Sequence, residues 1–226
     1  MMPEIPVITV DGPAGAGKGT VAMRLAEGFA WHILDSGSLY RLTAYSAIKN
    51  DCSFGDIPAL VKIARNLDVK FFPQEGGVVK TMLDGVDVSK SIRSETAGEA
   101  ASQVAAIIEV RDALLQRQRD FAQQPGLICD GRDMGTVVFP DAILKIYLTA
   151  SAEVRAQRRL KQLKDHGLNA TLASLIKEIQ DRDFRDKNRE HAPLLPAADA
   201  IEIDSSDLSV NGVVSKIKDL YESKVL

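Results

Sequence analysis

Between residues 8 and 27 the chain reads ITVDGPAGAGKGTVAMRLAE, and the chemistry that this stretch offers is anion binding. Glycines at 12, 15 and 17 open backbone conformations closed to other residues, so the segment can curl with its N–H groups turned inward. The nest would comprise Gly12, Pro13, Ala14, Gly15, Ala16, Gly17, Lys18, Gly19 and Thr20, with the positive end of a following helix behind it. Lys18 adds a full charge for outer phosphates. The pattern G-x-x-x-x-G-K-[ST] is met except at its last place, where Gly19 stands and the hydroxyl follows at Thr20. The ligand implied is a nucleoside triphosphate, and Thr20 is the candidate metal ligand on this loop; kinases, GTPases, motors and switch proteins all use such a loop. Tight packing of a strand on a helix is the alternative use for such glycines.

A second set lies in CDGRDMGTVVFPDA, from Cys129 to Ala142. Asp130 is placed as a strand-tip acid is placed to hold Mg²⁺ through water; Arg132 can clamp a phosphate, and Asp133 can accept from a ligand donor. A turn in which both aspartates bond backbone amides is the other reading. In DSGSLYR, residues 35 to 41, Ser36 and Arg41 can face the same crevice, or Ser36 or Ser38 can cap a helix. Arg155, Arg158 and Arg159, then Arg182, Arg185 and Arg189, crowd the stretch from 155 to 189. A lid that closes them over a phosphoryl group in transit would be worth roughly 10³ to 10⁵ in rate, whereas a solvated helix face with ion pairs would be worth none. Neither D-x-x-G nor N-K-x-D follows the loop, so the parts of a GTPase switch are missing. His32, His166 and His191 are scattered, and no Ser-His or Cys-His pair suggests itself for nucleophilic catalysis.

These groups need a frame. Short β-rich apolar runs at 6–10, 32–34, 127–129, 143–148 and 200–203 alternate with helical patterns and end in small polar or acidic residues. That alternation predicts a parallel α/β sheet whose strand tips meet ligand. The alternation lapses from about 36 to 102. There a helix over 56–67 precedes VKFF and VVKTML, joined through Pro73-Gln74-Glu75-Gly76-Gly77 as a hairpin. Residues 94–124 predict one long helix or two in succession, stopped by Pro125-Gly126. Residues 151–189 predict a charged helical hairpin broken at Gly167-Leu168-Asn169.

Composition sets the outer bounds. A chain of 226 residues with 45% apolar and 26% charged residues suits one globular domain. A net charge of −3 gives no general attraction to nucleic acid or anionic membrane. No window approaches the roughly 20 apolar residues of a membrane span, and the opening residues lack a secretory pattern. Cys52 and Cys129, the two cysteines, read as reduced thiols, which favours the cytoplasm.

GPAGAGKGT, DSGSLYR, ASQVAAIIEVR, DGRDMGTVVFPDA and DRDFRDKNR, in this order and spacing, resemble the cytidylate kinases of the bacterial type, among the nucleoside monophosphate kinases. The resemblance runs through essentially the whole chain, and DGRDMGT is its most specific part; GKGT is itself usual in that family. It implies a P-loop kinase fold: a five-stranded parallel core (1–35, 103–152 and 190–226), an acceptor-binding insertion with a small β-structure (36–102) and a short helical lid (153–189). It implies transfer of a phosphoryl group from ATP to CMP or dCMP, with Lys18, Arg132 and Arg182 catalytic. Ser36, Arg41, Arg132 and Arg182 would meet the CMP phosphate or ribose, Asp186 the sugar hydroxyls, and Ser102, Arg111, Asp133 and Arg189 the cytosine edge. Arg155, Arg158 and Arg159 would help to hold ATP. A monomer is implied. At Ile107-Ile108-Glu109 the chain lacks a helix-breaking proline common in relatives.

Overall fold

The computed structural model describes residues 5–74, 78–165 and 170–225. Five strands form one sheet in the order β2-β6-β1-β7-β8: β1 (Val7–Asp11), β2 (His32–Asp35), β6 (Leu127–Gly131), β7 (Leu144–Thr149) and β8 (Ile201–Asp204). Each lies within two residues of the run that predicts it. Pairing is parallel between β1 and β7, β2 and β6, and β7 and β8. Every residue of β1 and β6 is buried, as strands covered on both faces must be, and apart from Thr9, Asp11 and Asp130 their runs are accordingly apolar or glycine rather than alternating.

The chain divides into two compact units, Met1–Val7 with Ala22–Asp130, and Ile8–Val21 with Gly131–Leu226. In the first unit α2 (Ser36–Lys49) packs on α4 (Glu95–Val104) and on α3 (Ile57–Arg65), and α3 packs on α5 (Ile108–Arg119). The predicted hairpin is present as antiparallel β3 (Val69–Gln74) and β4 (Val78–Leu83); residues 75–77 of its turn lie outside the described residues. A third short strand, β5 (Val86–Asp87), and a 3₁₀ turn at Ser91–Arg93 extend it, neither of them foreseen. Asp56 caps α3 by accepting from the Ala59 amide at 3.1 Å, and Ser94 caps α4 from its hydroxyl to the Ala97 amide, both ordinary N-terminal signals.

Residues 94–124 hold two helices, broken at Ala105–Ile107 without a proline. Ile107 is extended (φ −83°, ψ 115°) and its side chain caps nothing. The Arg111 guanidinium donates to the Ala105 carbonyl at 3.1 Å, so a side chain one turn into α5 satisfies an acceptor that the end of α4 leaves open.

In the second unit α6 (Ala152–Asp165) and α7 (Leu172–Asn188) form the charged hairpin, packed on one another; the break at Gly167-Leu168-Asn169, and His166, lie outside the described residues. α8 (Val210–Val225) packs on β7. A single π-helical turn, Met134–Val138, follows β6, with the Phe139 amide bonded to the Met134 carbonyl five residues back at 2.7 Å. No helix among the described residues is long and apolar enough to cross a membrane.

Candidate active site

The loop between β1 and α1 (Lys18–Phe29) has the backbone its glycines predict: φ is +146° at Gly12, +78° at Gly15 and +92° at Gly17. At Gly12 a second constraint applies, because a Cβ there would stand 2.0 Å from the Leu148 carbonyl oxygen. Lys18 opens α1 and is 6% exposed, with Nζ donating to the Pro13 carbonyl at 2.8 Å. Its charge thus lies over the mouth of its own loop. Thr20, two residues further, is exposed.

α6 braces this loop from its carbonyl side. Arg155, 4% exposed, donates to Ala14 O at 3.0 Å and to Ala150 O at 2.9 Å, and its fork closes on the Asp183 carboxylate of α7 at 3.0 and 2.5 Å. Arg158 reaches Ala16 O at 3.4 Å and Ser205 through Oγ and the carbonyl oxygen. The carbonyls of Ala14 and Ala16 are thus taken up from behind, while the Ala16 amide lies 3.5 Å from the Pro13 carbonyl. Arg159 bonds Gln162 on its own helix. The structure therefore brings two of the three lid arginines to the loop as supports, a role that spacing alone did not disclose.

The same unit gathers the acidic and basic residues of GRDMG, residues 131–135, and of α7. Arg132 Nε donates to Asp186 Oδ2 at 2.8 Å, and Arg189 Nη2 lies 3.8 Å from Asp133 Oδ1. Burial pushes the Asp186 carboxyl up, but Arg132, by charge and by hydrogen bond, together with Arg182 and Arg189, outweighs it and holds Asp186 below the ordinary carboxylate range. Arg132, Arg182 and Arg189 outnumber the acids Asp186 and Asp133 beside them, a net positive environment suited to a phosphate.

The first unit holds the other predicted residues. Ser36, buried at the start of α2, donates to Gln118 Oε1 of α5 at 2.7 Å. Arg41 donates to Ile92 O at 2.6 Å and passes Gly98 of α4, where a Cβ would lie 3.4 Å from Nη2. Arg111, buried, carries its guanidinium 5.5 Å from the centre of the Tyr40 ring, and Ser102 is half-buried on α4. So α2, α4 and α5 supply all four. The helix cap is neither Ser36 nor Ser38 but Asp35, which accepts from the Ser38 amide at 2.9 Å. Asp35 stands in register with buried Asp130 at the tips of β2 and β6. Among the described residues no three His, Cys, Asp or Glu side chains are gathered as a ready-made metal cage.

Asp11 follows the first apolar run of the sequence directly. It proves to be a buried acid that binds two amides of the turn after β6, a contact 123 residues long that no local signal could reveal.

The family model described as cytidylate kinase matches residues 8–223. A cytidylate kinase of Proteus mirabilis (strain HI4320) is 53% identical over 212 residues, 94% of each chain. One from Vibrio vulnificus (strain YJ016) is 53% identical over 225 residues, all of this chain and 99% of the relative. Among solved structures, a shikimate kinase from Bacteroides thetaiotaomicron superposes over 97% of this chain and 99% of its own, at 14% identity and a TM-score of 0.46.

Proposed function

Because this chain belongs to the cytidylate kinase family, we propose that its two sets of residues divide one phosphoryl transfer between them, the loop at 12–20 holding ATP and the arginine and serine groups holding CMP or dCMP. The reaction is ATP + CMP → ADP + CDP. The observation that carries it is the match of the family over residues 8–223, with every loop, arginine and acid of the quoted motifs present.

The second ionisation of a nucleoside monophosphate lies near pH 6, so the attacking CMP oxygen is already an anion at neutral pH. It bonds to the γ-phosphorus while the bond to the β,γ-bridging oxygen breaks, and that oxygen leaves with the electron pair on ADP. No side chain has to remove a proton. What remains for the protein is alignment and charge neutralisation. Lys18 neutralises the outer phosphates, Arg132 and Arg182 the phosphate being transferred and its acceptor. Ser36 and Arg41 hold the CMP phosphate, Asp186 the ribose, and Ser102, Arg111, Asp133 and Arg189 the cytosine edge. Arg155 and Arg158 serve ATP by bracing the loop, and Arg159 serves it from the lid.

Mg²⁺ would spread charge over the ATP phosphates. The oxygens of Thr20 and Asp130 suit such a hard cation, and the phosphates and water would complete its shell. The segments 36–102 and 153–189 act in this reading as acceptor domain and lid on the remaining core. Two free thiols, Cys52 and Cys129, accord with a reducing compartment such as the cytoplasm, and the monomer is what the family implies.

The test is ADP release from Mg-ATP in the presence of CMP, dCMP, UMP, AMP or GMP in turn. The expected outcome is rapid release with CMP and dCMP. Preference for a purine nucleotide would overturn the cytosine roles of Ser102, Arg111, Asp133 and Arg189, and release independent of any acceptor would overturn the transfer itself.

A further inference from the structure

Asp11 ends β1 and is 5% exposed. Its carboxylate oxygens each take one backbone amide, Met134 N to Oδ1 at 2.9 Å and Gly135 N to Oδ2 at 2.8 Å. These are the first two N–H groups of the π-helical turn Met134–Val138, which has no preceding carbonyls to bond them. Arg132 and Asp133 immediately precede that turn, so whatever fixes the turn fixes where those two side chains start.

The turn is fitted closely on its other sides. A Cβ at Gly131 would come 2.8 Å from Met134 Cγ, and one at Gly135 would come 3.0 Å from Thr9 Oγ1 and 3.2 Å from Lys145 Cδ. Glycine at 135 lets its amide reach the carboxylate. We propose that Asp11 is a positioning residue for the acceptor: by clipping the Met134 and Gly135 amides to the end of β1, it sets Arg132 and Asp133 for CMP without touching either nucleotide.

This rests on the assignment of Arg132 and Asp133 to CMP. A buried carboxylate is a demanding choice for the task, which argues that the task matters. Burial pushes Asp11 up to about 6, against the pull of the Gly135 and Met134 amides and of Lys18, with the Asp133 charge adding to the rise; Tyr147 faces it in register from β7.

The test is Asp11→Asn in the full-length enzyme. Asparagine can accept one of the two amides but turns an NH₂ toward the other. We expect KM for CMP to rise about tenfold, the usual effect of losing a hydrogen bond to a charged group, with KM for ATP within about twofold of wild type. The ratio of variant to wild-type KM for CMP should then fall toward one between pH 8 and pH 5, as the wild-type carboxylate takes up its own proton; the titration of CMP is common to both enzymes and cancels. Equal changes in the two KM values, or none, would overturn the proposal, as would a ratio flat in pH. Gly135→Ala, which pushes the amide off the carboxylate from the opposite side, carries the same prediction if Asp11→Asn does not fold. Arg132→Ala run in parallel separates the two levels. If it raises KM for CMP and Asp11→Asn does not, the clip fails alone; if Arg132→Ala leaves KM for CMP unchanged, the assignment of this turn to CMP fails.

Discussion

Lys18 and Asp186 hold single charges in contrasting surroundings. Lys18 is buried against its own loop carbonyl, so it needs no rearrangement of the chain to meet a phosphate, and its loss should be felt in rate rather than in folding. Lys18→Ala is expected to lower kcat by about 10² to 10³ with an unchanged unfolding midpoint, as a coupled ADP assay and thermal denaturation would read. Asp186 is different, because it compensates several arginines in a buried place. Asp186→Ala leaves those cations without their carboxylate and should cost about 3–5 kcal/mol of stability, measurable by urea unfolding; a loss under 1 kcal/mol would mean that the arginines find other partners. Gly12→Ala tests the loop itself. With φ at +146° and a carbonyl 2.0 Å from the added carbon, the variant should lose ATP binding even where it folds. At this scale the sequence offers the letters of the candidate site, since motif letters are local. It does not name their partners: the pairs Arg132–Asp186 and Arg155–Asp183 join residues 54 and 28 apart, and only the folded chain brings them together.

Elements were legible where a period or a stop signal was strong. The five parallel strands are short β-branched runs ended by turn residues, and α3 announces itself by Asp56 followed by Ile57-Pro58. β5 was missed because two residues, Val86 and Asp87, carry no period at all. The π-helical turn was missed because its extra residue is set by Asp11 and by the glycines it leans on, not by propensity within MGTVV. The break between α4 and α5 stood open in the sequence between one helix and two; a guanidinium from α5 takes the place a proline would have marked. An element-scale test that leaves the candidate site alone is Asp56→Ala, which removes the side-chain cap of α3. A loss of about 1 kcal/mol with kcat and both KM values unchanged is expected. A larger effect on turnover than on stability would show that α3 couples to the chemistry.

For the molecule as a whole, Asp11 and Asp186 push stability in opposite directions with pH. Asp11 rises from 3.8 in the unfolded chain to about 6 when folded, so its contribution is complete below pH 4 and is lost as pH rises through 6, about 3 kcal/mol in all. Asp186 is lowered on folding, so its contribution is present above pH 4 and is lost as pH falls through its folded value. Asp11→Asn should therefore flatten the fall of stability between pH 4 and pH 6 and leave the acid limb in place, as unfolding free energies across that range would record. The proposed reaction transfers one phosphoryl group from a donor held by the glycine loop to a pyrimidine nucleotide. The most direct measurement is to give the enzyme ATP labelled in the γ-phosphate, quench after less than one turnover, and locate the label. Label in CDP when CMP is present, with little free phosphate when it is absent, is the predicted result; label in inorganic phosphate at the same rate with and without CMP would contradict it.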